Sequence, residues 1–246
     1  LAIREQTLVL DPSGAIFWEQ QQTLMVADLH LGREMSLQKA GVAIPQGASA
    51  RTIEKLAAQM QHHQAANLLI LGDLIHARCS WTDELIGIFL KFCESVAGRC
   101  QLIEGNHDRG SKKQLTRFPL EVLQPPIFQN PFWLLHDPDR EFPLIERDTG
   151  FANEGQRDRG NRQQSERAQS TVSDREISNP IALAGHLHPG FRLPHTREQV
   201  KCFYRKGDVL ILPSFGELTG SRTIHPLKND QLFLLGGGSV IPWQGN

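Results

Sequence analysis

Short apolar runs alternate with helical stripes through the first half of the chain. Thr7–Leu10, Ala15–Trp18 and Thr23–Val26 read as strands, and Asn67–Leu71 as a buried strand. Between them, Ile53, Leu56, Ala57 and Met60 recur at helical spacing, and Leu85, Ile86, Phe89, Leu90 and Cys93 mark a second amphipathic helix. Ser80 followed by Asp83 is the expected start signal of that helix, a variant of the capping box. Leu102–Ile103 ends a further strand and Phe132–Leu135 forms another. The second half changes character: Ile181–Ala184, Lys201–Tyr204, Val209–Leu212 and Gln231–Leu235 read as strands without long helices between them. Gly236-Gly237-Gly238 lies between two strands with no helix after it, so it is a turn and not a phosphate loop. No internal repeat is visible.

The stretch 147–178 departs from this pattern. Of its 32 residues only Phe151, Ala152, Ala168, Val172 and Ile177 are apolar. Such a segment buries too little surface to offset the entropy of ordering it, and it reads as a mobile polar insertion in a single domain spanning 1–246. It explains much of the modest apolar fraction of 39%. Its deletion is expected to leave stability nearly unchanged.

The net charge of −1 excludes a basic tail or polybasic patch as the main binding device. No apolar run reaches the roughly 20 residues of a membrane span, and no signal peptide is read at the start, so the expected location is the cytoplasm. The first residue is Leu, which fits an alternative start codon or a trimmed end. Cys79, Cys93, Cys100 and Cys202 form no C-x-x-C pair and read as reduced, mostly buried thiols.

Five polar clusters each follow an apolar strand: Asp28-Leu29-His30, Gly72-Asp73, Gly105-Asn106-His107-Asp108, His136, and Gly185-His186-Leu187-His188. The carboxyl ends of strands in an α/β sheet line the crevice where ligands bind, so these clusters can converge. Alternation would put Asp28 and His30 on one side if the strand ran on that far, and His186 and His188 likewise. Asp28, His30, Asp73, Asn106, His136, His186 and His188 are seven hard or borderline donors. They are too many for one tetrahedral ion and suit a pair of divalent ions, Mn²⁺ first, with Fe²⁺ or Zn²⁺ as the alternatives. Arg33 and Arg78 are candidate phosphate clamps, and His76 a candidate site residue. Arg109 also adjoins the motifs. His62 and His63 sit at a helix end, where a cation suits the dipole, and His195 and His225 flank Pro in loops; none of these four carries an assigned function.

Together, in order, the five clusters resemble the calcineurin-type metallophosphoesterases. The runs Val26–Glu34, Leu71–Arg78 and Leu212–Gly216 are similar, more narrowly, to the bacterial DNA ligase-associated members of that family. The resemblance covers most of the chain outside the polar insertion. It implies a four-layer α/β/β/α sandwich of two mixed sheets flanked by helices. It implies that Asp28, His30, Asp73 and His188 hold one metal, and that Asp73, Asn106, His136 and His186 hold the other, with Asp73 bridging. His107 would bind a phosphate oxygen and protonate the leaving alkoxide, with Asp108 holding its imidazole in the right tautomer. The expected function is two-metal phosphoester hydrolysis, of phosphodiesters in preference to monoesters. The substrates would be DNA ends or nucleotides in DNA repair, with a DNA ligase and a helicase as partners and no membrane. Two rivals stand beside it: a phosphatase or cyclic-nucleotide phosphodiesterase in signalling, and a non-catalytic scaffold of the same fold. The neutral charge does not decide between DNA and small substrates, because two divalent ions already supply local positive charge.

Overall fold

The computed structural model describes residues 1–77, 80–148, 181–194, 196 and 198–243. The insertion expected at 147–178 lies outside them apart from its first two residues, as do Arg78, Cys79 and His195. The first sheet is built from β1 (Ala2–Ile3), β2 (Gln6–Leu10), β3 (Ile16–Trp18), β4 (Thr23–Val26), β5 (Asn67–Leu71), β6 (Cys100–Ile103) and β7 (Glu121–Leu123), in that spatial order. Pairing is antiparallel from β1 to β4 and parallel from β4 to β7. The switch follows from the connections. Tight turns join the early strands, whereas α1 (Arg33–Lys39) and α2 (Ala48–His62) return the chain from β4 to β5, and α3 (Asp83–Ser95) returns it from β5 to β6.

The second sheet contains β8 (Ile127–Gln129), β9 (Phe132–Leu134), β10 (Ile181–Ala184), β11 (Pro189–Arg192), β12 (Gln199–Lys206), β13 (Val209–Ile211), β14 (Arg222–Thr223), β15 (Gln231–Gly236) and β16 (Ser239–Trp243). It is mixed: β9, β10 and β13 are parallel neighbours, and β12 runs antiparallel to β13. A short α4 (Lys112–Leu115) precedes β7, and α5 (Pro138–Asp148) follows β9. Among the described residues, no helix is long and apolar enough to cross a membrane.

Strand alternation divides the apolar residues among three cores. Leu24, Val26, Leu68 and Ile70 face the helices with Ile53, Leu56 and Phe89. Their neighbours Met25, Ala27, Leu69 and Leu71 face the second sheet, against Phe132, Leu134, Leu183, Leu210 and Leu212. Ala182, Ala184 and Ile211 turn to the outer side of the second sheet, where Phe142 of α5 packs. The central strands of both sheets, β4, β5, β10 and β13, are thus buried on two faces, which explains their continuous apolar runs. The layering is the expected one, helices outside two face-to-face mixed sheets.

Two local expectations need correction. Helix α3 is capped by Thr82, whose hydroxyl accepts the Leu85 N–H at 3.1 Å. Ser80 is instead fully buried against Gly32 and Ser36, two residues before the cap position, where its hydroxyl does not serve the orphan N–H groups. In α2 the buried positions are Ala48, Ser49, Thr52, Ile53 and Leu56, while Ala57 is exposed, because the helix turns one edge of its stripe outward. The glycine turn is as expected: Gly237 and Gly238 take positive φ between β15 and β16, a conformation glycine adopts without steric cost.

Candidate active site

The five clusters meet at the carboxyl ends of β4, β5, β6, β9 and β10. The alternation premise for the paired donors does not hold. β4 stops at Val26 and β10 at Ala184; beyond them Asp28, His30, His186 and His188 take φ of 55°, 47°, 70° and 45°. Alternate residues in left-handed conformation curl each segment so that its two donors still converge. Asp73, at φ 50°, does the same after β5. Non-glycine residues pay about 1–3 kcal/mol for such conformations, and they persist only where the surroundings over-determine them. Here the backbone does so. Asp28 N–H donates to the Gly72 carbonyl at 3.1 Å, His30 N–H to the Asp73 carbonyl at 2.9 Å, and Phe215 N–H to the Ala27 carbonyl at 2.8 Å.

Glycine lets these loops close up. A Cβ on Gly72, whose φ is +80°, would fall inside the His136 imidazole. Gly72→Ala is therefore expected to displace His136, lower the unfolding temperature by several degrees and weaken metal uptake, measured by calorimetric scanning and metal analysis.

Among the described residues, two donor trios at these loops include a carboxylate, beside an all-histidine group of His30, His76 and His107. Asp28, His30 and His188 offer ligand atoms within 4.8 Å of one another, and so do Asp73, His136 and His186. Asp73 links them: its Oδ1 lies 3.4 Å from His136 Nε2 and its Oδ2 lies 3.7 Å from His30 Nε2. Asn106 Oδ1 stands 2.9 Å from His136 Nε2, beside His186 Nδ1 at 3.1 Å.

The chemistry of this set asks for cations. His136 Nδ1 faces the Leu71 carbonyl at 3.3 Å and donates its proton there, as metal-binding imidazoles commonly do. Its Nε2 then faces the oxygens of Asp73 and Asn106, with His186 Nδ1 at 3.1 Å. A proton takes that place in the metal-free protein. Burial opposes the charge, but the hydrogen bond to Asp73 and its negative charge lift His136 to about 9. Asp73, raised by burial, is held down at about 2 by His136 and by the His107 N–H. Burial pushes His30 down to about 3, leaving a neutral imidazole ready to ligate. Asp28 is fully buried, and its Oδ1 has no hydrogen-bond partner; His188 Nε2 lies 3.4 Å away. The residues fit two divalent ions.

The His136 charge has a measurable sign. A histidine raised above its ordinary value of 6.5 stabilises the fold fully below that pH, and this contribution is lost as pH rises through about 9. The metal-free protein is expected to lose thermal stability across that window, and metal loading, which replaces the proton, to flatten the decline.

His107 and Asp108 part company. His107 Nδ1 lies 2.6 Å from the His76 carbonyl, so that backbone oxygen sets its tautomer. Asp108 does not touch the ring. It is fully buried and accepts the Gly105 N–H at 2.9 Å and the Ile75 N–H at 3.2 Å, tying the loop that carries Asn106 and His107 to the loop after β5. Burial pushes its carboxyl up to about 7, against the pull of those two donors. The expectation that Asp108 orients His107 is corrected: the segment enters a 3₁₀ turn at Asp108, which turns the carboxylate inward.

His76 belongs to the site. Its ring stacks on His107 with centroids 5.5 Å apart and meets His30 edge-on at 5.6 Å. Arg33, half-buried at the start of α1, lies near enough to depress His76, after the larger effect of burial. Arg109 is exposed, and among the described residues no hydrogen bond or ion pair ties it to the donors. His63 pairs with Asp11 at 3.0 Å, and His225 is exposed. Cys93, Cys100 and Cys202 are free and buried.

Three contributors were not singled out from sequence. Glu141 is buried and accepts the His136 N–H at 2.8 Å and the Asp137 N–H at 3.2 Å. Asp137 Oδ2 lies 3.6 Å from His186 Nε2. The signal was present: Asp137-Pro138 is a cap residue followed by proline in the first turn, and it opens α5. Lys201 Nζ donates to the Ser214 carbonyl at 2.6 Å, bracing the loop that holds Ala27 and Asp28.

The comparisons agree with this geometry. The crystal structure of the Pseudomonas putida nuclease MPE superposes with a TM-score of 0.72 and 27% identity, covering 99% of this chain and 98% of that one. A phosphoesterase Yfce from E. coli, at 15% identity, aligns with a TM-score of 0.42 over 89% of this chain and 96% of that one. No family model matches, and no curated protein matches by sequence. The fold is the calcineurin-like metallophosphoesterase fold, a class of hydrolases acting on phosphoester bonds. Within that class the similarity to the P. putida nuclease spans essentially the whole of both chains.

Proposed function

We propose that the chain is a two-metal phosphodiesterase acting on DNA ends or nucleotides, working in the cytoplasm in DNA repair beside a ligase and a helicase. The observation that supports it best is Asp73, one carboxylate with an oxygen toward each donor trio. Asp28, His30 and His188 would hold one ion and Asn106, His136 and His186 the other, with Mn²⁺ preferred over Fe²⁺ or Zn²⁺. Bound there, two such ions polarise phosphoryl oxygens and supply a nucleophile at neutral pH.

The chain's own groups do the rest. His107, its Nδ1 tied to the His76 carbonyl, presents Nε2 on the open side of the site, with more than a third of the side chain exposed. As the imidazolium it would donate from Nε2 to the leaving alkoxide, while Nδ1 keeps its proton and donates it to the His76 carbonyl. His76, stacked on His107, and Arg33, close enough to act on His76, would bind phosphate oxygens, with Arg78 and Arg109 as further candidates. The description of the P. putida neighbour as a nuclease supports a diester over a monoester.

A chelator is expected to abolish hydrolysis, and Mn²⁺ to restore it better than Mg²⁺, because imidazole ligands favour Mn²⁺. The test compares bis(p-nitrophenyl) phosphate, p-nitrophenyl phosphate, cyclic nucleotides and end-labelled DNA. Undiminished activity in chelator rejects the two-metal reading; monoester turnover without diester cleavage rejects the phosphodiesterase.

A further inference from the structure

β11 begins at Pro189, next to the donor His188. β10 and β13 are parallel, β12 is antiparallel to β13, and β11 is antiparallel to β12. β11 therefore runs in the same sense as β10, whose carboxyl end delivers His186. Starting near where β10 stops, it carries the sheet past the donor cluster, with Gln199–Lys201 on one side and β14 on the other. Its four residues extend this wall by about 13 Å. The wall is stitched to the site: Arg222 N–H donates to the His188 carbonyl at 2.8 Å, and Ile224 N–H to the Gly190 carbonyl at 2.9 Å.

An open groove of about 630 Å³ lies on this wall. Half-buried Phe191, Leu193 and Ile224 form its apolar part; exposed Arg192 and His225 stand at its rim beside Thr223. The Phe191 ring is fixed by Trp243, with centroids 5.3 Å apart, so it is positioned before any ligand arrives. Among the described residues 189–200 and 221–229, the charged side chains are Arg192, Arg222 and Lys228 against Glu198 alone. Asp230, which follows, is engaged by the Tyr204 hydroxyl at 2.7 Å and the Leu227 N–H at 2.7 Å.

The geometry points to this groove as a nucleotide subsite for single-stranded nucleic acid. It receives a base of the strand whose phosphodiester sits at the donors, and Arg192 and His225 engage the flanking phosphates. An apolar floor with an aromatic ring and a cationic rim suits a polyanion whose bases have been unstacked; a duplex keeps its bases out of reach. This assignment rests on the phosphodiesterase reading for its substrate and on the wall for its place.

Binding of a fluorescein-labelled oligothymidylate, followed by anisotropy in chelator so that no cleavage intervenes, tests the groove by itself. The Arg192→Glu/His225→Glu variant is expected to bind about tenfold more weakly, and Phe191→Leu about fivefold. The salt slope should flatten by about 0.7 for each phosphate the variant no longer engages. Arg99→Glu, an exposed charge reversal before β6, serves as control, and circular dichroism checks that each variant is folded. Absence of binding by the native protein, unchanged binding in both groove variants, an equal loss in the control, or equal affinity for a blunt duplex overturns the subsite. If the groove variants lose binding while the native protein with Mn²⁺ restored cleaves no oligonucleotide, the subsite stands and the nuclease reading falls.

Discussion

Asp73→Ala is expected to abolish phosphoester hydrolysis and to strip metal from the protein. The residue does more than donate one oxygen. Oδ2 faces His30, Oδ1 faces His136, and Oδ1 also accepts the His107 N–H at 2.9 Å. Alanine removes the carboxylate that faces both donor groups, which on the proposed reading would be shared by the two ions, together with its charge and the anchor of the loop that carries Asn106 and His107. Loss of an outer partner of a metal ligand already costs about 10–100-fold, so loss of a shared ligand should exceed about 10²-fold in turnover. Asp73→Asn separates the effects, because its amide oxygen can still accept from His107 while the charge is gone. Elemental analysis after dialysis against Mn²⁺ should find both variants depleted, with the catalytic loop better ordered in Asn than in Ala. Full activity and full metal in Asp73→Ala would reject the bridging role.

The layers and the convergence of the donors were legible in the sequence because both rest on short-range pattern. Runs such as Leu68–Leu71 announce a strand buried on both faces, and each polar cluster directly follows such a run. The conformation of the donor loops was not legible, since left-handed φ at Asp28, His30, His186 and His188 goes with hydrogen bonds to segments distant in sequence: Asp28 and His30 N–H to the Gly72 and Asp73 carbonyls, His186 N–H to Asp28 Oδ2, and Arg222 N–H to the His188 carbonyl. Distance in sequence hid part of the role of Asp108 too, since the Ile75 N–H lies 33 residues before it. Its neighbour in sequence is His107, but its partners in space are the N–H groups of Gly105 and Ile75. Glu141 shows the opposite case, a local helix-start signal beside Asp137-Pro138 whose consequence, a buried carboxylate under the His136 backbone, appears only once α5 is placed.

That separation of His107 from Asp108 predicts two different failures in adjacent residues. His107→Ala removes a partly exposed ring whose Nδ1 is held by the His76 carbonyl and whose Nε2 lies 4.0 Å from Asp73 Oδ2. Nothing in the core depends on it, so the variant should fold normally and keep both metals. Turnover should fall about 10²–10⁴-fold for substrates with poor leaving groups, the usual size of a general-acid contribution. The loss should shrink for nitrophenyl esters, whose leaving groups need little protonation. Equal losses for good and poor leaving groups would mean that His107 only positions phosphate. Asp108→Ala should behave otherwise. It leaves two buried N–H groups without acceptors, each costing about 1–3 kcal/mol, and releases the loop that carries Asn106 and His107. Its unfolding temperature should drop by many degrees, metal affinity should fall, and activity should decline by the same factor for every leaving group. A stable Asp108→Ala variant with the leaving-group dependence of His107→Ala would restore the pairing of the two residues as a catalytic dyad.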